Sequence, residues 1–205
     1  MASINYRLAG VAVHPAQTND CKSTIAYLRK NAARYRLDPR KFVVWGSSAG
    51  GHLAAMVGTS NEWSQMDPTT NSLSRVAAAI DFYGPTDLVA LATTPGYTSH
   101  ALPTSPESKL LGGPVLERRA EARIANPIAY VSKNDPPFYI VHGAADPVVA
   151  PNQSVLLDAA LRAKGVPVTM EILPGAKHGG AEFVADSLMD RIAAFLDRAL
   201  GTSVP

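Results

Sequence analysis

Two periods of apolar residues alternate along the chain, and each change of period marks an element. Continuous apolar runs of strand length stand at residues 41–45, 76–83, 137–142 and 166–173. Between them apolar residues recur three and four positions apart, the spacing of one helix face. Ile25, Leu28 and Ala32 share such a face over residues 20–34, which follow the turn at His14-Pro15. A helix runs from the end of the 41–45 strand to about residue 58. Another spans 152–164, with Asn152 as its cap and Gly165 as its stop. The last covers 182–200, with Val184, Leu188, Ile192, Phe195 and Leu196 as its inward stripe. Residues 3–8, with β-prone Ile4 and Tyr6, read as one more short strand. Apolar strands separated by amphipathic helices imply a mostly parallel sheet covered on both faces, a single α/β domain over residues 1–205.

One stretch resists this reading. Residues 87–126 are rich in Pro, Thr, Ser and Gly, with a brief charged helical patch at 115–124. About 89–125 could form a lid or pocket wall, or only a connection. Trp63, Met66 and Tyr97 are apolar candidates for a pocket lining, with ordinary packing as the simpler role. Tyr83-Gly84-Pro85-Thr86-Asp87 closes a strand, so it either borders a cleft or is a turn in which Asp87 caps the next helix.

Composition narrows the function classes. The chain has 205 residues, 46% of them hydrophobic, enough for one sizeable core. Its net charge of +2 comes from scattered Lys, Arg, Asp and Glu, with no basic stripe for nucleic acid and no polybasic cluster for a membrane surface. The expected partner is a small molecule. The single cysteine, Cys21, excludes an intrachain disulfide and reads as a buried thiol. The first fifteen residues resemble neither a signal peptide nor a spanning segment, so a cytoplasmic location is expected. No glycine-rich phosphate motif, no cysteine cluster and no histidine pair at ligand spacing occurs, so neither a cofactor nor a metal is expected.

The sharpest signal is Gly46-Ser47-Ser48-Ala49-Gly50, directly behind Phe42-Val43-Val44-Trp45 and ahead of the helical His52-Leu53-Ala54-Ala55-Met56-Val57. A G-x-S-x-G where a strand becomes a helix holds its serine on a strained turn, with the hydroxyl pushed out toward substrate and base. Ser48 is therefore the candidate nucleophile. In parallel sheets reactive groups collect beyond the carboxyl ends of the strands. Two further candidates fall there, Asp146 in His142-Gly143-Ala144-Ala145-Asp146-Pro147 and His178 in Pro174-Gly175-Ala176-Lys177-His178-Gly179-Gly180. Acyl transfer needs a nucleophile, a base and an acid that orients the base, and the order Ser, Asp, His is one of the known solutions. The competing readings are a loop carboxylate or helix cap for Asp146 and a surface loop histidine for His178. His52 and His142 read as structural, and His14 and His100 as isolated.

These residues resemble the α/β-hydrolase esterases and lipases of the hormone-sensitive lipase and acetyl or feruloyl esterase type. The matching strings run through most of the chain: Ile4-Asn5-Tyr6-Arg7-Leu8, VWGSSAGGHLAA, DFYGPTDL, NPIAYVS, PPFYIVHGAADPVV and LPGAKHGG. The resemblance implies Ser48 as nucleophile, Asp146 as acid, His178 as base, and cofactor-independent hydrolysis of a small-molecule carboxylic ester. The family's His-Gly-Gly-Gly motif, which lends N–H groups to the oxyanion hole, lies upstream of the Asn-Tyr-Arg-Leu string and is not in this sequence, nor are three strands of the family's sheet. Of the usual donors only the Ala49 N–H carries over. Two expectations follow. Residues 3–8 would slide into the vacant place beside the 41–45 strand and bring Gly10 to the elbow as a replacement donor, or a second copy would cover the open edge in a homodimer. The functional reading is a serine carboxylesterase for short-chain or activated esters. The alternatives are a catalytically impaired fragment or binding module and, less readily, a peptidase.

Overall fold

A computed structural model describes residues 1–63 and 68–202. Met66 thus lies outside the described residues. In chain order the elements are α1 (Ala16–Lys30), α2 (Ala32–Tyr35), β1 (Val43–Ser47), α3 (Ala49–Thr59), α4 (Pro68–Leu73), β2 (Ala78–Phe82), α5 (Leu88–Thr93), α6 (Pro106–Leu111), α7 (Arg119–Ile124), β3 (Phe138–Gly143), α8 (Asn152–Ala163), β4 (Val168–Leu173) and α9 (Asp186–Leu200). Short 3₁₀ turns stand at Thr98–Ala101, Pro127–Tyr130 and Ala181–Val184.

The four strands are parallel and lie in sequence order, β1-β2-β3-β4. β2 and β3 are buried along their whole length because both faces are covered. On one face Ile80, Phe82, Tyr139 and Val141 pack against Leu188, Ile192 and Phe195 of α9. On the other, Ala79, Phe138 and Ile140 meet Leu157 and Leu161 of α8 and Ala55 of α3. The period of two in the strands and of three to four in the helices therefore meet as the apolar pattern requires.

Residues 3–8 do not form a strand, and they are not paired with β1. The Arg7 backbone N–H donates to the Asp20 carboxylate at 2.9 Å and its guanidinium closes on the same group at 2.7 Å. Ile4 and Tyr6 pack on the Cys21, Ile25, Leu53 and Val57 cluster. The segment is thus an arm tied to α1 through the Arg7 backbone N–H and guanidinium. The outer edge of β1 has no strand beside it among the described residues, and Trp45 on it is 42% exposed.

Two helix ends also differ from expectation. Asn152 is the first residue of α8, not its cap, and its amide donates to the Thr94 hydroxyl at 3.0 Å. At the C-terminus the 3₁₀ turn and extended Ala185 break the helix before Asp186, which rotates Val184 off the inward stripe and leaves it 69% exposed.

Residues 88–125 form a packed layer. Leu88, Ala92, Leu111, Val115, Ala122 and Ala125 make their own apolar cluster. Asp87 caps α5 by accepting from the Ala90 N–H at 2.9 Å, as the turn reading has it. No helix among the described residues is long and apolar enough to cross a membrane.

Candidate active site

Ser48 stands between β1 and α3 with φ 55° and ψ −121°, a left-handed backbone that costs a non-glycine residue on the order of 1–3 kcal/mol. Its surroundings hold it there. The Ser48 N–H donates to the Phe82 carbonyl at 2.8 Å and its carbonyl accepts from the His52 N–H at 3.0 Å. A Cβ at Gly46 would sit 2.0 Å from the Gly50 carbonyl oxygen, so only glycine lets the chain fold back this tightly. The same is true of Gly51, whose Cβ would meet the Asp81 carboxylate at 2.3 Å. The N–H groups of the first turn of α3, Ala49 included, have no carbonyl four residues back within the helix and point positive charge at the serine.

The ends of β3 and β4 bring the other two groups to the elbow. The Ala144 and Ala145 N–H groups donate to the Leu173 and Ala176 carbonyls at 2.9 and 3.0 Å, which binds the two loops together. His178 then reaches both neighbours. Its Nε2 is 2.8 Å from the Ser48 Oγ and its Nδ1 is 2.7 Å from the Asp146 Oδ2. A carboxylate only accepts, so Nδ1 carries the proton and Nε2 is left to accept from the serine hydroxyl. The edge of the Tyr83 ring packs against the imidazole with ring centroids 4.6 Å apart.

Asp146 is 1% exposed, yet it is held ionised. Burial alone would raise its pKa, but hydrogen bonds from His142, His178 and the Val149 and Val148 N–H groups outweigh that and bring it down to about 2. The two backbone donors reach Oδ1 at 2.9 and 2.8 Å. His142, read from the sequence as structural only, has its Nε2 3.2 Å from Oδ2. Nothing in the residue spacing signals this contact, because it depends on how the loop after β3 folds back.

The other sequence candidates fall elsewhere. Gly10 is exposed in a turn where the Val11 and Ala12 N–H groups return to the Leu8 carbonyl, and a Cβ there would meet nothing within 4 Å. With residues 3–8 tied to α1, the arrangement that was to bring Gly10 to the elbow is not formed. His52 is buried and donates from Nδ1 to the Pro85 carbonyl at 2.9 Å. His14 is half-buried against Trp63, and this burial, with His52 nearby, drives its pKa down to about 4. His100 pairs with Glu107 at 2.8 Å. Trp63 is 2% exposed and packs, whereas Tyr97 donates its hydroxyl to the Asp146 carbonyl at 2.5 Å. Cys21 is buried, which pushes its thiol up to about 12 and leaves it inert.

Comparison with known proteins agrees with this architecture. Esterase LipQ of Mycobacterium tuberculosis is 32% identical over 97% of this chain, and Esterase LipC of the same organism is 33% identical over 86%. The chain spans about half the length of these curated relatives, 48% and 44%. Among solved structures, a truncated form of a carbohydrate esterase from gut microbiota superposes with a TM-score of 0.86 at 31% identity, covering 96% of this chain and 73% of that one. A bifunctional GH43-CE protein of Bacteroides eggerthii gives 0.86 at 34% identity, covering 96% of this chain and 27% of the other. The BD-FAE family model matches residues 1–161, a span that contains the elbow and Asp146, and with its parallel sheet and nucleophile elbow the chain belongs to the BD-FAE family of α/β-hydrolase proteins.

Proposed function

We propose that this protein is a serine carboxylesterase that hydrolyses short-chain or activated carboxylic esters through an acyl-enzyme. The observation that carries the reading is the continuous hydrogen-bonded line Ser48 Oγ, His178 Nε2, His178 Nδ1, Asp146 Oδ2, with steps of 2.8 and 2.7 Å. In the first half-reaction the Ser48 oxygen bonds to the ester carbonyl carbon while its proton passes to His178 Nε2. The imidazolium, stabilised by ionised Asp146, returns that proton to the leaving alcohol as the ester C–O bond breaks. In the second half-reaction water gives its proton to His178 and its oxygen to the acyl carbon, and Ser48 leaves with the proton. The Ala49 N–H at the start of α3 faces the developing oxyanion. Relatives named esterases, and the similarity to a carbohydrate esterase, make acetylated sugars the natural substrates to try beside simple esters.

The test is hydrolysis of p-nitrophenyl acetate by the native chain and by Ser48→Ala and His178→Ala. Each substitution should lower kcat by about 10³ or more. Equal rates in all three proteins would reject the esterase reading and leave a binding module.

A further inference from the structure

We infer that His142, kept by the Val149 carbonyl and the Asp146 carboxylate in the tautomer that carries its proton on Nε2, with the Ser154 hydroxyl at Nδ1, is a positioning residue that locks the Asp146 carboxylate toward His178. Its catalytic meaning rests on the esterase reading above; its geometry does not. His142 and Ser154 are both 0% exposed, so neither meets bulk solvent. The ring meets three oxygens. Nε2 lies 2.9 Å from the Val149 carbonyl and 3.2 Å from Asp146 Oδ2, while Nδ1 lies 2.7 Å from the Ser154 Oγ. A carbonyl and a carboxylate can only accept. The proton therefore belongs on Nε2, where it points chiefly at Val149 and also faces Oδ2. Nδ1 is then an acceptor, and the Ser154 hydroxyl donates to it. The opposite tautomer would turn a lone pair toward two oxygens in a site closed to bulk solvent, where the repulsion is little screened.

The consequence falls on Asp146. Its Oδ1 receives the Val148 and Val149 N–H groups, and its Oδ2 receives His178 Nδ1 with His142 Nε2 beside it. Each carboxylate oxygen thus has its own donors, and rotation of the group would break both sets. The same imidazole ties the Val149 carbonyl to the end of β3, so the loop that carries Asp146 is fixed at two points by one side chain. Ser154 sits in the first turn of α8, which makes that helix the outer support of the line that ends at Ser48.

Nitrogen-15 histidine NMR of the whole chain at neutral pH, together with p-nitrophenyl acetate kinetics, tests the inference. The His142 ring should show the Nε2–H pattern alone, and Ser154→Ala, which removes the donor to Nδ1, should move the Nδ1 resonance toward that of a nitrogen without a hydrogen bond while the proton stays on Nε2. His142→Phe should lower kcat about tenfold, the order seen when an outer partner of a site residue is removed, with KM changed less than twofold. His142→Gln, which keeps an N–H donor, should recover part of the loss. In His142→Phe the downfield His178 Nδ1–H resonance should shift or broaden. A native His142 with its proton on Nδ1 or on both nitrogens would overturn the inference. So would Ser154→Ala and His142→Phe proteins that keep kcat within twofold and leave the His178 resonance in place. If the native chain hydrolyses no ester, the esterase reading fails by itself, and the His142 and His178 resonances still decide this one. If His142→Phe does not fold, Ser154→Ala, which removes one oxygen atom, carries the test.

Discussion

Two buried aspartates at neighbouring strand ends titrate in opposite directions, and the difference lies in their partners. Asp146 has four donors and is held at about 2, whereas Asp81 has the Gly84 N–H at 2.9 Å, one carboxylate oxygen without a partner, and a pKa raised by burial to about 6. Their effects on stability follow from linkage. Between about pH 4 and pH 2 the unfolded chain binds a proton at position 146 that the native chain does not, so stability falls as the pH drops through this window. Between about pH 4 and pH 6 the native chain holds the proton at position 81, so this group's contribution falls as the pH rises. Thermal midpoints measured across pH should therefore lose the acid-side decline from this group in Asp146→Asn and the decline between pH 4 and 6 in Asp81→Asn. A pH profile unchanged in both variants would contradict the assignment. Ser48, Asp146 and His178 could all be found in the sequence because each sits in a short string with its own turn residues. The roles of His142 and Ser154 could not, because twelve residues and a helix turn separate them and their meeting is purely tertiary.

The layer between β2 and β3 illustrates how elements support chemistry they do not perform. Five hydrogen bonds join it to the loop and helix that follow β3. Tyr97 donates to the Asp146 carbonyl, His100 Nε2 lies 2.8 Å from the Val148 carbonyl, Asn152 donates to Thr94, and the Gln153 amide oxygen accepts from the Thr86 and Asp87 N–H groups at 2.9 Å. Composition rich in Pro and Thr leaves open whether such a stretch is a loose connection, since turn residues say nothing of what a loop docks against. Tyr97→Phe should cost about 1 kcal/mol of stability, the worth of one hydrogen bond, and lower kcat several-fold by loosening the acid loop. Urea denaturation with steady-state kinetics checks both. The arm at residues 3–8 gives the converse lesson. Its alternation of Ile4 and Tyr6 fits a strand, but the same pattern serves an extended segment with two apolar side chains on α1 and α3 and its backbone turned to Asp20. Val184 likewise fits the helical period of α9, which is blind to the break at Ala185.

At the scale of the whole molecule the sheet carries one apolar cluster on each face. Leu157 and Leu188 are both fully buried, one under each face. Each Leu→Ala substitution should cost about 2–5 kcal/mol, and the double variant should equal their sum within about 0.5 kcal/mol because the sites share no partner. Urea midpoints of the three variants measure this, and strong non-additivity would mean that the layers are not independent. The parallel order of the four strands could be anticipated from apolar runs with helices between them, as that pattern permits little else. The same order lays the ends of β1, β3 and β4 close enough for Ser48, Asp146 and His178 to meet. Whether that meeting makes Ser48 a nucleophile is settled most directly by intact mass after exposure to a fluorophosphonate ester. The native chain should gain one phosphonyl group, located on Ser48 by peptide mapping, at a rate that falls sharply in His178→Ala; a chain that stays unlabelled, or is labelled equally fast without His178, would contradict the account.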